Sequence, residues 1–267
     1  MTRVALGRWL MSVRPVELAE LLKWVLRIGR VECTAMGLVL QVDPASNFGS
    51  QLIGAGIYEP EMTDAVLSLL RPGDVFLDVG ANEGWFSVLA ARAVGKSGRV
   101  LAVEPQERLW PVLIRNFLLN DLANAELIPY GIAAQRGVTS LALYPSINTG
   151  ATSLISEPRR RFFRAQEVPT KSLDELADDH RAPAIRLAKI DVEGYELEVL
   201  RGAPKLLARG IDYFLVELHP AQLRRRGQSV EMVNAVLLAA GYVRADRPGI
   251  NLWRRDASAA VTEGQSR

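Results

Sequence analysis

A single cysteine and only two histidines stand in a chain of 267 residues. One cysteine, Cys33, excludes an internal disulfide and any cysteine-rich zinc site, and it reads as a small apolar residue of the interior. Charge of one sign is scarce as well: 32 Lys and Arg face 30 Asp and Glu, which leaves no global signature of a polyanionic partner. No apolar run is long enough to span a bilayer, and the N-terminus shows no compact apolar stretch with a cleavage signal. The default expectation is a cytoplasmic protein. What the chain does have is apolar content, 49%, enough to bury a full core in one domain.

The most informative run is Val75-Phe76-Leu77-Asp78-Val79-Gly80-Ala81-Asn82-Glu83-Gly84, followed at a distance by Glu104-Pro105. Val75 to Val79 is β-branched and aromatic, is preceded by the turn Arg71-Pro72-Gly73, and reads as a buried strand. Gly80 and Gly84 bracket a tight passage into a helix carrying Phe86, Val88, Leu89 and Val94. Glycine there lets a ligand approach the backbone, and the helix start offers unpaired N–H groups. A second strand, Val100 to Val103, ends at Glu104, where an acidic side chain would hold a ribose diol. The arrangement suits a nucleoside.

Two nucleotide patterns are missing. The loop lacks the G-x-G-x-x-G of a dinucleotide site, and Asp78 and Glu83 would set negative charge against a pyrophosphate. Gly95-Lys96-Ser97 resembles the end of a P-loop, but Ala90 stands where its first glycine belongs, so Gly95 reads as a helix C-cap. A ligand with an ammonium and a sulfonium suits the carboxylates better, and S-adenosylmethionine is such a ligand.

Residues 1–32 read as helical and basic, with Leu18, Leu21, Leu22, Val25 and Ile28 on one face and Trp9, Trp24, Arg3, Arg8, Arg14 and Arg30 adding an interfacial character. Such a helix packs on the core or on a second subunit, with membrane-surface contact as the alternative. Gly37 to Pro44 reads as a strand of a small hairpin, Asn47 to Gly56 as a glycine-rich connector, and Pro60 as the first position of a helix. These pieces divide the chain into an N-terminal extension, 1–51, a main domain, 52–255, with an insert at 138–171, and a small polar tail, 256–267. Within the domain, strands are expected near 75–79, 99–103, 125–129, 186–191, 212–217, 241–245 and 250–254. Their alternation with helices argues for an α/β fold, a mostly parallel sheet covered on both faces.

A second half of the site is expected at Asp191-Val192-Glu193-Gly194-Tyr195-Glu196 and Glu217-Leu218-His219, each at a strand end. If the two strands are neighbours, Asp191, Glu193, Glu217 and His219 converge beside the cofactor. Against this, Asp191 and Glu193 could cap a helix, and Glu196 and Glu198 read as solvated or dipole-complementing charges. Glu217, in an apolar strand, needs a partner such as Lys189. His180 sits in a polar loop and reads as a bystander.

Together these residues resemble the FkbM-type S-adenosylmethionine-dependent methyltransferases. The similarity covers roughly residues 52–254: Gly56-Ile57-Tyr58-Glu59-Pro60-Glu61, the loop at 72–84, Val103-Glu104-Pro105, Ser172-Leu173-Asp174, Lys189-Ile190-Asp191-Val192-Glu193-Gly194-Tyr195-Glu196, Leu200-Arg201-Gly202-Ala203, Val216-Glu217-Leu218-His219 and Gly241-Tyr242. The resemblance implies a class I methyltransferase sheet, Rossmann-like and seven-stranded with its last strand antiparallel. It implies methyl transfer to oxygen on a saccharide, glycolipid or polyketide. The expected cofactor residues are Glu59, Asp78, Gly80, Asn82, Gly84 and Glu104. The expected catalytic residues are His219, the preferred base, with Glu193 and Asp191. No metal is assigned, although two or three carboxylates with one histidine would suit a divalent cation.

Two other classes compete. Arg159-Arg160-Arg161 and Arg224-Arg225-Arg226 would serve a nucleic-acid or membrane-surface binder. The first of these runs, beside Phe162-Phe163, would also suit a lid over an acidic acceptor. No Asn-Pro-Pro-Tyr or Asp-Pro-Pro-Tyr run is present, which lowers the nucleic-acid reading. An NAD-dependent oxidoreductase is weakened by the missing glycine pattern.

Overall fold

From Val75 onward, short apolar strands alternate with helices, and the chain folds as that alternation dictates. The computed structural model describes residues 3–143, 164–182 and 184–256. Helices α1 (Arg3–Ser12) and α2 (Val16–Val25) precede a hairpin, β1 (Val31–Ala35) and β2 (Leu38–Val42), and then α3 (Asn47–Ala55) and α4 (Pro60–Leu69). Next come β3 (Val75–Val79), α5 (Trp85–Val94), β4 (Arg99–Val103), α6 (Trp110–Leu118) and β5 (Ala125–Ile128). A small sheet of β6 (Gly131–Ile132), β7 (Gly137–Leu143) and β8 (Arg164–Lys171) interrupts the series. The chain continues through α7 (Leu173–Asp179), β9 (Leu187–Ile190), α8 (Glu196–Arg201), α9 (Pro204–Arg209) and β10 (Tyr213–Val216). It closes with α10 (Pro220–Arg225), α11 (Val230–Ala239), β11 (Tyr242–Arg244) and β12 (Leu252–Arg255).

The main sheet has seven strands in the order β5-β4-β3-β9-β10-β12-β11. Pairs from β5 to β10 are parallel, and β12 runs antiparallel to both of its neighbours. This is the expected Rossmann-like sheet with an antiparallel last strand. Every residue of β3 and β9 is buried, as a central parallel strand requires. Side chains alternate between two cores. Phe76, Val100 and Leu187 face the side of α4, α5 and the hairpin, whereas Leu77, Leu101 and Ala188 face the side of α7, α8 and α11.

Register sets the site. Val79 is level with Val103 and with Ile190, and Ile190 is level with Val216. The next residue of each strand is therefore Gly80, Glu104, Asp191 or Glu217, four neighbours along one sheet edge. The chain leaves β3 toward β4 on one side and leaves β9 toward β10 on the other. A crevice opens where that direction reverses.

Two expectations need correction. Asn47–Ala55 is a helix, not a connector: the Ser46 hydroxyl accepts from the Gly49 N–H at its start, and Gly56, at φ 70°, ends it. Residues 1–32 are not one helix. The chain breaks before Pro15, whose ring cannot continue a helix, and Val31 and Glu32 already belong to β1. Leu38, Leu40, Val42 and Phe48 of the N-terminal extension share one core with α4 and α5. Gly95 does end α5, as expected. Residues 257–267 and the run Arg159 to Phe163 lie outside the described residues, and Arg164 opens β8.

Candidate active site

The half of the crevice expected to take the cofactor is built on β3 and β4. The Gly80 and Ala81 N–H groups both donate to the Val103 carbonyl, at 3.0 and 2.9 Å, which folds the loop over the end of β4. Gly80 sits at φ +90°, and a Cβ there would lie 1.9 Å from the Asp191 carbonyl oxygen. Only glycine fits. The Glu104 carboxylate is buried and accepts from two backbone amides, Asn82 N–H at 2.7 Å and Gln106 N–H at 2.8 Å. Burial still pushes it up to about 7, because the Gln106 and Asn82 donors offset the lost hydration only in part. The Asn82 side-chain oxygen is buried and has no protein partner.

The opposite half is built on β9 and β10. Lys189, almost fully buried, places Nζ 3.0 Å from Asp191 Oδ2 and 4.0 Å from Asp78 Oδ1. Burial disfavours its charge, but Asp191 and Asp78 more than compensate, so the ammonium is held above its usual value. His219 directs Nε2 toward three carboxylates: Glu193 Oε2 at 3.5 Å, Asp191 Oδ1 at 3.8 Å and Glu217 Oε1 at 3.8 Å. Its Nδ1 lies 2.7 Å from Glu196 Oε1. Burial lowers the imidazole's affinity for a proton, yet the Glu196 hydrogen bond and the Glu193 and Asp191 charges carry it up to about 9. Burial raises Glu193 and Glu217 to about 7. Gln222 Nε2 donates to Glu193 Oε2 at 3.0 Å. Backbone at φ 44° for Glu59, 52° for Asn82 and 49° for Glu193 places three non-glycine residues in the left-handed region around one crevice.

The crevice is lined by Glu59, Glu104, Asp191, Glu193 and Glu217, five carboxylates, and by no basic side chain among the described residues. Gly80, Asn82, Tyr58 and Tyr130 complete much of the wall. Such a surface favours a cationic ligand and repels a pyrophosphate. Asp191, Glu217 and His219 also form a group whose donor atoms lie within 4.8 Å of one another, a spacing a divalent cation spans.

Of the expected cofactor residues, the structure brings Glu59, Gly80, Asn82 and Glu104 together on the wall. Asp78 is a correction. It is fully buried beneath the loop, accepts from Ser87 Oγ at 2.6 Å and faces Lys189, so it supports the site from below. Gly84 is a second correction: it is the N-cap of α5 at φ 93°, packed against Leu113 rather than exposed to the crevice. Glu83 turns away altogether and is clasped by Arg30 at 2.6 and 3.2 Å.

The residues expected to be catalytic lie close together, with Asp191 and Glu193 on the wall and His219 immediately behind them. Neither Asp191 nor Glu193 caps α8, whose N-cap is Tyr195. Glu217 feels the Lys189 charge, as expected, without a direct ion pair to it, and stands 36% exposed at the crevice. Glu196, expected at the surface, is fully buried. His180 sits away from the crevice beside Glu126, as expected of a bystander.

Known proteins resemble this chain in sequence. Residues 78–244 match the family described as the methyltransferase FkbM domain. The methyltransferase sdnD of Sordaria araneosa is 28% identical over 197 residues, covering 61% of this chain and 74% of that protein. The hexuronic acid methyltransferase AglP of Haloferax volcanii is 29% identical over 163 residues, covering 60% of this chain and 62% of that protein. Among solved structures, a putative rRNA methylase from Clostridium thermocellum aligns with a TM-score of 0.48 at 12% identity, over 74% of this chain and 95% of that one. The residues fit a cationic nucleoside cofactor: a glycine cradle, a buried unpartnered amide oxygen, and an acidic wall without basic side chains. The chain belongs to the FkbM methyltransferase family, and its methyl donor is S-adenosylmethionine.

Proposed function

We propose that the protein is an O-methyltransferase acting on a hydroxyl of a saccharide-type acceptor. One observation carries the reading: a histidine ringed by three carboxylates at the ends of β9 and β10, directly beside the cofactor crevice. The naming of AglP as a hexuronic acid methyltransferase supports a sugar acceptor over a polyketide. Glu104 and Asn82 would hold the nucleoside of the donor, and Gly80 would admit it against the backbone. Glu59 and Asp191 would face its cationic portion. When bound, S-adenosylmethionine supplies a methyl group already activated on sulfur.

The chain's own work is to place the acceptor oxygen in line behind the methyl carbon and to remove its proton. The bound donor would supply the methyl group and leave as S-adenosylhomocysteine, and the hydroxyl proton would pass to Glu193, which the protonated His219 backs. Glu193 stands on the wall and His219 holds it from behind. Asp191 and Lys189 steady the local charge.

The test is direct. Purified protein with S-adenosylmethionine and a panel of uronic acid and hexose glycosides should release S-adenosylhomocysteine, and mass spectrometry with NMR should find an O-methyl ether on the sugar. Methylation of an amine or carbon only would contradict oxygen transfer.

A second reading concerns delivery of the acceptor. Trp9, Leu18, Leu21, Trp24, Val25 and Leu26 are exposed on α1, α2 and the turn that follows, with Trp24 at 76%. Arg8, Arg14 and Arg27 are exposed around them. Amphipathic surfaces of this kind lie at lipid interfaces, and we read this one as contact with an anionic membrane, which would suit a glycolipid acceptor. Among the described residues no helix is long and apolar enough to cross a membrane. Co-sedimentation with phosphatidylglycerol vesicles, lost in Trp24→Ser with Leu21→Ser, is the expected result. Absence of binding would leave the patch to a second subunit.

A further inference from the structure

The strongest unassigned feature is a buried carboxylate that the reaction itself does not touch. Glu196 opens α8, is fully buried, and carries no cationic Lys or Arg partner among the contacts of its carboxylate. Burial of a carboxylate is costly and needs a compensating interaction. Two contacts on Oε1 supply part of it, while Oε2 is buried without a hydrogen-bond partner. Glu196 Oε1 accepts from the Gly194 N–H at 2.9 Å, and it lies 2.7 Å from His219 Nδ1. A carboxylate oxygen offers only lone pairs, so the shared proton belongs to His219 Nδ1. Near neutral pH the ring carries both protons, Nδ1–H toward Glu196 and Nε2–H toward Glu193, Asp191 and Glu217, and when it gives one up the Glu196 contact confines the neutral imidazole to the Nδ1–H tautomer.

We infer that Glu196 is the positioning residue of this active site: it holds His219 in the Nδ1–H tautomer and aims Nε2 at the proton-accepting side of the crevice. The inference rests on the proposed transfer to oxygen, since positioning matters only if a proton must be received there. The local backbone serves the same end. Gly194, at φ +97°, lets the chain turn between Glu193 on the wall and Glu196 beneath it, and a Cβ there would lie 2.5 Å from Gln222 Cβ. Glu193 and Glu196 therefore approach one imidazole from its two nitrogens, three residues apart in sequence.

The charges that face His219 come from four places. Glu196 lies on α8, Asp191 and Glu193 in the turn after β9, Glu217 at the end of β10, and Glu59 ahead of α4. Lys189, on β9, is bound to Asp191. Removing the Glu196 charge leaves the other carboxylates in place, so His219 should give up its proton at a lower pH but should stay within the cluster.

The chain has two histidines, which makes the imidazoles readable by NMR. In full-length protein labelled with ¹⁵N, with His180→Gln used for assignment, His219 should show a protonated Nδ1, an unprotonated Nε2 in its neutral form, and a titration above the ordinary histidine value. Glu196→Gln should lower that midpoint and mix the tautomers. Glu196→Asp, which keeps the charge, should leave the midpoint raised. In kinetics, Glu196→Gln should lower kcat by about 10-fold or more, as for a misplaced general base, with KM for S-adenosylmethionine little changed, and should move the acidic limb of the pH profile to lower pH. An Nε2–H tautomer in the wild type, or a midpoint identical in Glu196→Gln, would overturn the inference. Those NMR results need no acceptor, so they stand even if the reading as an oxygen methyltransferase fails on product analysis.

Discussion

The two halves of the crevice handle negative charge in opposite ways. On the β3–β4 side, Glu104 is enclosed by backbone N–H groups that would be there whatever side chains surrounded them. On the β9–β10 side, Asp191, Glu193 and Glu217 crowd one imidazole nitrogen at distances beyond a good hydrogen bond. The first pattern holds a rigid acceptor in place, which suits recognition of an unchanging cofactor. The second leaves capacity for a proton, which suits chemistry that creates and moves one.

The largest effect that could break this contrast lies in the second half. Glu193→Gln and His219→Ala should each cut kcat by about 10²–10⁴-fold, the usual contribution of a placed base, in enzyme whose melting temperature is preserved. Near-normal turnover in both would move the chemistry elsewhere, with Tyr58 and Glu59 as the next residues to test. In the first half, Glu104→Ala should weaken S-adenosylhomocysteine binding by roughly 10–100-fold, the scale of a hydrogen bond to a charged group, while sparing the fold. Arg30→Ala strips the partner from buried Glu83 and should cost about 1–3 kcal/mol of stability in urea denaturation, the penalty for an unsatisfied buried group. Adding Glu83→Gln should recover part of that loss. Last, exhaustive chelation followed by dialysis should leave turnover unchanged. A loss restored by Mg²⁺ would convert Asp191, Glu217 and His219 from a proton-handling cluster into a metal site.

Much of this layout was legible because it is local. A strand that ends in a charged residue before a glycine announces both its bounds and its sheet edge, and so Gly80, Glu104 and Asp191 were readable from a few neighbours each. Asp78 was not, since the last turn of a strand can point above or beneath the loop, and only the packing of Ser87 and Lys189 decides it. Glu83 looked like part of the site because its partner, Arg30, stands 53 residues away. Glu196 looked like a solvated helix charge for the same reason: His219 is 23 residues distant and arrives only through β9–β10 pairing. The helix at Asn47–Ala55 was hidden by glycines that suggest a loop, although Ser46 supplied a capping signal. The apolar face expected on the N-terminal helix divides in two, Ile28 buried and Leu21 and Val25 exposed, because the break before Pro15 folds α1 back against α2 and alters which side meets the protein.

Calorimetric titration of S-adenosylhomocysteine into wild type, Glu104→Ala and Glu193→Gln, alongside single-turnover methyl transfer for each, tests the division of labour most directly. The account predicts that Glu104→Ala loses affinity but transfers methyl groups at near wild-type rate once saturated, and that Glu193→Gln binds like wild type and transfers slowly. Equal losses of binding in both variants, or slow transfer by saturated Glu104→Ala with normal transfer by Glu193→Gln, would contradict it.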